Sequence, residues 1–262
     1  IRAAMEQRPR VVICQKPFCQ TLEEAKAAVA LGAEAGIPLV IHENFRFQPW
    51  YRVIRQTIND GAIGDLLQVT FRFRPGDGQG PHAYLDRQPY FQKMQRFLVH
   101  ETAVHWIDTF RFLMGKPNAV FAELRQLNPA IAGEDAGFIL FSYDDGRRAL
   151  FDGNRLLDHS ARDTRCTMGE ALVEGTTGSL HLSGDGSVAC RRFGEEAFAE
   201  LYRPDNVQGF GGDCVFHLCK HVVDGLNGRT EFENEAHDYL FTLRVEEAVY
   251  RSAELGKMIK VG

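Results

Sequence analysis

The chain has 262 residues, 44% of them hydrophobic and 25% charged, with 30 basic against 35 acidic side chains and a net charge of −5. That balance offers no footprint for a polyanion, so nucleic acid and acidic membrane surfaces are excluded as expected partners. Charges interrupt every apolar stretch, so no bilayer span is expected, and the length suffices for a core burying roughly 70–75% of the unfolded surface.

The polar opening from Ile1 to Arg10 reads as the tail of a helix, and the chain is expected to begin inside a domain. Val11-Val12-Ile13 is wholly apolar, as a strand buried on both faces would be. A helix then starts at Thr21, where Glu24 completes a T-x-x-E capping box, and stops at Gly36 with Pro38 beyond. Leu39-Val40-Ile41 reads as a second buried strand, which makes a βαβ unit. Pro49 opens a helix through Ile58, closed by Asn59-Asp60-Gly61.

From there strands dominate. Gln68 to Arg74 alternates strictly, and further strands are expected at Ala119–Arg125, Gly137–Tyr143, Arg148–Asn154, Gly169–Glu174 and Ser179–Leu182. Asp144-Asp145-Gly146 and Thr176-Thr177-Gly178 read as hairpin turns. The loop Pro75–Pro89 is expected to be irregular and near a site or an edge. Helices near Gly212–Leu226 and Glu233–Leu255 and a short strand at Met258–Val261 finish the chain. The fold expected is α/β plus α+β. Residues 1–42 are the C-terminal remnant of a nucleotide-binding Rossmann domain, and residues 43–262 a domain with a large, mostly antiparallel open sheet and flanking helices.

Three places could carry chemistry. Gln15-Lys16-Pro17 follows a parallel strand, where open α/β sheets receive ligands, and Lys16 is either a solvated loop lysine or one aimed into the crevice. On a helix through residues 100–108, Glu101, His105, Asp108 and Phe112 share one stripe, while Ala103, Trp106, Ile107, Phe110, Leu113 and Met114 face the core. That stripe is either a solvated surface or a site in which Glu101 hydrogen-bonds His105. Asp213, His217 and His221 stack at helical spacing, more in the manner of an ordinary helix surface than of a metal site. His100 and His105 stand five apart, so no H-E-x-x-H zinc motif exists, and no metal is expected. The six cysteines, Cys14, Cys19, Cys166, Cys190, Cys214 and Cys219, form no C-x-x-C pair and are expected as free thiols in the cytoplasm. Gly76-x-Gly78-x-Gly80 has neither the strand nor the helix of a dinucleotide fingerprint, and no G-x-G-x-x-G occurs anywhere.

Taken in order, these segments resemble the glucose–fructose oxidoreductase / inositol dehydrogenase (Gfo/Idh/MocA) family over essentially the whole chain. Val11 to Pro17 resembles the strand and E-K-P motif that closes that family's nucleotide-binding half, with Gln15 in place of Glu. His42-Glu43-Asn44-Phe45-Arg46-Phe47 is similar to its domain boundary, with Asn44 and Arg46 at the polar positions. Glu101 to Asp108 is similar to the D-x-G-x-H-x-x-D helix, Glu101 standing for Asp and Ala103 for Gly. Leu172 to Leu180 resembles its E-G-x-x-G strand pair.

The resemblance implies NAD- or NADP-dependent oxidation of a secondary alcohol on a sugar, cyclitol or related polyol by a homo-oligomer assembled through the C-terminal sheet. It makes His105 the general base, Glu101 its orienter and Lys16 the stabiliser of the alkoxide. Gln15, Lys16 and Pro17 are then expected to face the cofactor, and Asn44, Arg46, Asp213 and His217 the substrate. By the same resemblance the chain lacks the upstream half that carries the phosphate-binding glycines, so it is expected to bind cofactor poorly and to leave its first strand unpaired along one edge. The competing expectations are a non-catalytic binding or dimerisation module of the same fold, and an NAD-dependent glycosidase or lyase.

Overall fold

The computed structural model describes residues 1–205 and 209–262. Arg2–Glu6 (α1) leads into Val12–Gln15 (β1), Leu22–Ala35 (α2) and Leu39–His42 (β2). β1 and β2 pair in parallel, with Val12 opposite Leu39 and Gln15 opposite His42. Two orphan amides at the start of α2 are satisfied locally: Thr21 Oγ1 accepts from the Glu24 N–H at 3.2 Å, and the Glu24 carboxylate accepts from the Gln20 N–H at 3.1 Å. Gly36 ends the helix at φ 64°, a conformation any Cβ would resist.

Pro49–Asn59 (α3) precedes Leu66–Phe73 (β3), and a π-helical turn at Leu98–Ala103 runs directly into Val104–Met114 (α4). The strands Ala119–Arg125 (β4), Ala136–Ser142 (β5), Arg148–Asn154 (β6), Gly169–Gly175 (β7), Gly178–Leu182 (β8), Val188–Arg192 (β9) and Ala199–Tyr202 (β10) follow. Phe210–Leu226 (α5), Ala236–Leu255 (α6) and Ile259–Lys260 (β11) close the described chain. Nine of these strands form one sheet in the order β10-β9-β8-β7-β3-β6-β5-β4-β11. Every neighbouring pair is antiparallel except β3 with β6, so the sheet is mixed at its centre.

The alternation of β3 is what anchors the core. Val69, Phe71 and Phe73 turn to one face and are buried, and α4 lies across them with Trp106 packed on Phe71 at 4.4 Å, Phe73 at 5.2 Å and Phe151 at 5.4 Å between ring centroids. Trp106, Ile107, Phe110, Leu113 and Met114 are all buried, as the helical spacing requires. The opposite sheet face is left open and shows Leu67, Phe138 and Leu172 to solvent. α6 packs against β4 on one side and against α2 and α4 on others, so it spans both sheets. Among the described residues no helix is long and apolar enough to cross a membrane.

Candidate active site

Lys16 and Glu43 are each the first residue after a parallel strand, and the register that sets Gln15 opposite His42 makes them neighbours. Both side chains therefore start at the carboxyl end of β1 and β2. Lys16 Nζ lies 2.9 Å from the Glu101 carboxylate and also donates to the Glu101 backbone carbonyl. Glu43 has no exposed surface. Its Oε1 lies 2.6 Å from His105 Nδ1 and accepts from the Phe45 N–H at 3.4 Å, its Oε2 accepts from the Tyr239 hydroxyl at 3.2 Å, and its backbone carbonyl accepts from Asn234 Nδ2 at 2.6 Å.

Burial alone would raise the Glu43 carboxyl. The charge and hydrogen bond of His105, the Lys16 ammonium and the Phe45 N–H together hold it below the usual carboxylate range. Burial and the neighbouring Glu43 charge push Tyr239 well above the ordinary phenol value, so its hydroxyl keeps its proton and donates. A carboxylate fixed as acceptor takes the Nδ1–H, so a singly protonated His105 ring carries its proton on Nδ1 and its lone pair on Nε2. Among the described residues Nε2 has no hydrogen-bond partner. The ring is further clamped by Phe45, stacked on it at 3.9 Å with an interplanar angle of 3°. The arrangement can accept a proton at one nitrogen while holding a counter-charge at the other.

The expected Glu101–His105 contact is not made. Leu98–Ala103 winds as a π-turn, so the residue four positions on no longer stacks above Glu101, whose carboxylate swings to Lys16 instead. Glu43 takes the place foreseen for Glu101. Its signal in the sequence was its position, one residue past the second strand, matching Lys16 past the first. Asp108 falls on the expected stripe, but it and His105 are buried there: Asp108 accepts from Arg46 Nε at 2.8 Å and Nη2 at 2.6 Å. Arg46, foreseen as a substrate contact, thus commits its fork to a buried carboxylate, with Glu233 a further 3.6 Å partner.

The remaining candidates divide. Gln15 Oε1 accepts from the Lys16 N–H at 3.1 Å, and the Gln15 amide nitrogen has no hydrogen-bond partner among the described residues. Pro17, joined to Lys16 by a cis peptide, lines a cleft of about 440 Å³ together with His100 and Glu246. Asn44 is buried and makes no side-chain hydrogen bond among the described residues. Asp213 accepts from the Gly209 N–H at 2.7 Å and closes the left-handed turn Gly211–Asp213 that begins α5. His217 is half-buried on α5, near Phe216. His221 accepts from the Glu233 N–H at 2.9 Å, so it does not join Asp213 and His217, and among the described residues no three His, Cys, Asp or Glu side chains converge as a metal requires.

Residues 51–181 match the GFO/IDH/MocA C-terminal domain. The chain is 32% identical over 260 residues to a D-apiose dehydrogenase of Paraburkholderia graminis and 30% identical over 261 residues to one of Rhizobium rhizogenes, covering 95% of this chain in each case. It spans 66% and 72% of the length of those two proteins. An oxidoreductase from Agrobacterium radiobacter, solved in complex with NAD+, L-tartaric acid and magnesium, superposes on the whole chain with a TM-score of 0.87 at 26% identity, over 75% of its own length. Levoglucosan dehydrogenase, in complex with NADH and levoglucosan, shares the fold with a TM-score of 0.79 at 19% identity, over 99% of this chain and 75% of its own. Motif order, sheet topology and these matches agree: the chain belongs to the GFO/IDH/MocA family.

Proposed function

We propose that the whole protein is an NAD(P)-dependent dehydrogenase acting on a CH–OH group of a sugar, cyclitol or related polyol, with D-apiose the first candidate. The observation that carries the reading is the Glu43–His105 pair beside the Lys16 ammonium at the ends of two parallel strands. The residues present fit the nicotinamide end of a dinucleotide: a cation and a free ring nitrogen meet where open α/β sheets take ligands, and the Gln15 amide stands next to them. No G-x-G-x-x-G in this sequence supplies a pyrophosphate cradle, so residues 1–42 would hold only that end.

Nicotinamide, when bound, supplies the acceptor for the hydride leaving the carbinol carbon. His105 Nε2 accepts the hydroxyl proton as the C–H bond breaks, and the Glu43 carboxylate stabilises the imidazolium that forms. Lys16 offsets the negative charge that develops on the substrate oxygen. Glu101 keeps the Lys16 ammonium from turning away. The family's usual relationship between copies extends to this reading: the open sheet face, with Leu67, Phe138 and Leu172 exposed, is the proposed contact between subunits. The free thiols suit a reducing, cytoplasmic setting.

The test is a screen of NAD+ and NADP+ against D-apiose and other sugars and polyols, read by reduced nicotinamide. Accumulation of reduced cofactor with one sugar is the expected result. Glycoside cleavage without net reduction would replace the reading by redox-assisted lysis. Tight sugar binding with no turnover would make the protein a binding module.

A further inference from the structure

Three successive residues of the π-turn Leu98–Ala103 reach three different neighbours. His100 Nδ1 lies 2.6 Å from Glu246 Oε1 on α6, Glu101 pairs with Lys16, and Thr102 Oγ1 accepts from Arg155 Nη2. The backbone of the turn is held as firmly. The Phe97 and Val99 N–H groups both donate to Glu134 Oε1 at 3.1 Å. The His100 N–H donates to the Tyr250 hydroxyl at 3.1 Å, and that hydroxyl donates to Glu134 Oε1 at 2.7 Å. Lys16 Nζ in turn donates to the backbone carbonyl of Glu101, the residue next to His100. Where the turn sits therefore decides where Lys16 sits, and Glu246 and Tyr250 decide where the turn sits.

The same helix supports the other half of the site. Tyr239 donates to Glu43, which holds His105. Tyr239, Glu246 and Tyr250 stand at i, i+7 and i+11, one face of α6, with the first two about 10 Å apart along its axis. Glu246 is 4% exposed and Tyr239 1%, so neither is a surface residue that happens to reach a partner. Resting on the dehydrogenase reading, we propose that this face of α6 is a template that fixes the spacing between the proton acceptor and the cation. Glu246 is a positioning residue for Lys16, acting through His100 and the Glu101 carbonyl, and Tyr239 is a positioning residue for His105, acting through Glu43.

Positioning differs from packing in one measurable way: the effect of Glu246 must disappear when Lys16 is gone. In the whole protein, Glu246→Gln is expected to lower kcat about fivefold or more with KM changed less than about twofold, and in a Lys16→Ala background the same substitution should change kcat by less than about twofold. Additive losses in the double variant overturn the proposal. A second readout is independent of turnover: in Glu246→Gln the Glu101 and Thr102 amides should exchange hydrogen about tenfold faster, while Phe110–Met114 at the far end of α4 exchange as before. Unchanged exchange at Glu101 and Thr102 overturns the template whether or not the protein oxidises a sugar. Faster exchange in a protein that turns over no sugar upholds the template and sinks the dehydrogenase reading alone.

Discussion

Replacing Glu43 by Gln separates the charge of the His105 partner from its shape. The carboxylate receives the His105 Nδ1–H at 2.6 Å, the Tyr239 hydroxyl at 3.2 Å and the Phe45 N–H at 3.4 Å, with no exposed surface. An amide of nearly the same volume can keep its carbonyl on Nδ1–H and turn its NH2 to Tyr239, whose hydroxyl then accepts. The tautomer survives, and a neutral hydrogen bond replaces a charge-assisted one. Hydrogen bonds to charged groups are worth about 1.5–3 kcal/mol and neutral ones about 1 kcal/mol, so the imidazolium formed on proton transfer loses about 0.5–2 kcal/mol. That corresponds to a kcat lower by about 2- to 30-fold. Glu43→Ala removes the acceptor altogether, strands Nδ1–H and the Tyr239 hydroxyl in a buried cavity, and should cost about 10²-fold or more. Steady-state kinetics at saturating cofactor, with a thermal melt to certify the fold, makes the comparison. A folded Glu43→Ala variant with wild-type kcat would refute the reasoning.

Lys16→Ala should lower kcat/KM by the equivalent of about 3–4 kcal/mol, and Lys16→Arg should rescue it poorly, because a planar fork cannot replace a compact ammonium between two Glu101 oxygens; a fully active Arg variant counts against the role. Arg46→Ala should cost about 3 kcal/mol of stability in denaturant unfolding, since it leaves the fully buried Asp108 only Arg111 at 3.5 Å; a stable variant with raised KM would instead make Arg46 a substrate contact. The Glu246 hydrogen bond, against the cost of burial, raises His100 above its ordinary value. Its contribution to stability is therefore complete below about pH 6.5 and is lost as pH rises through the raised folded value, so the melting-temperature gap between wild type and His100→Gln should narrow on the alkaline side. A gap independent of pH refutes that linkage.

Much of the framework was legible because it is local. The Thr21–Glu24 cap, the Gly36 stop and the β3 alternation each depend on residues within one element, and periodicity reports them directly. β9 and β10 were not, because Val188–Arg192 runs from apolar to basic without alternation and Ala199–Tyr202 is only four residues long and mostly exposed, so both owe their pairing to neighbours. The sequence marks Lys16 and His105, but it assigns His105 the partner Glu101 where the structure has Glu43, and it offers no protein partner for Lys16, which pairs with Glu101. A π-turn adds a residue to one turn of helix, and that single extra residue moved Glu101 from His105 to Lys16. Tyr239 reaches Glu43 across 196 positions of chain, and Glu246 reaches His100 across 146, distances at which periodicity is silent.

The central claim is that His105, held by Glu43, takes the proton as hydride leaves the sugar. Single-turnover formation of reduced nicotinamide by the whole protein, wild type against His105→Ala, tests it most directly, since product release does not enter. The account predicts a rate lower by about 10²–10⁴-fold in a variant that still folds and still binds cofactor. A rate within about twofold of wild type would contradict it, because a positioned base that can be deleted at no cost is not the base.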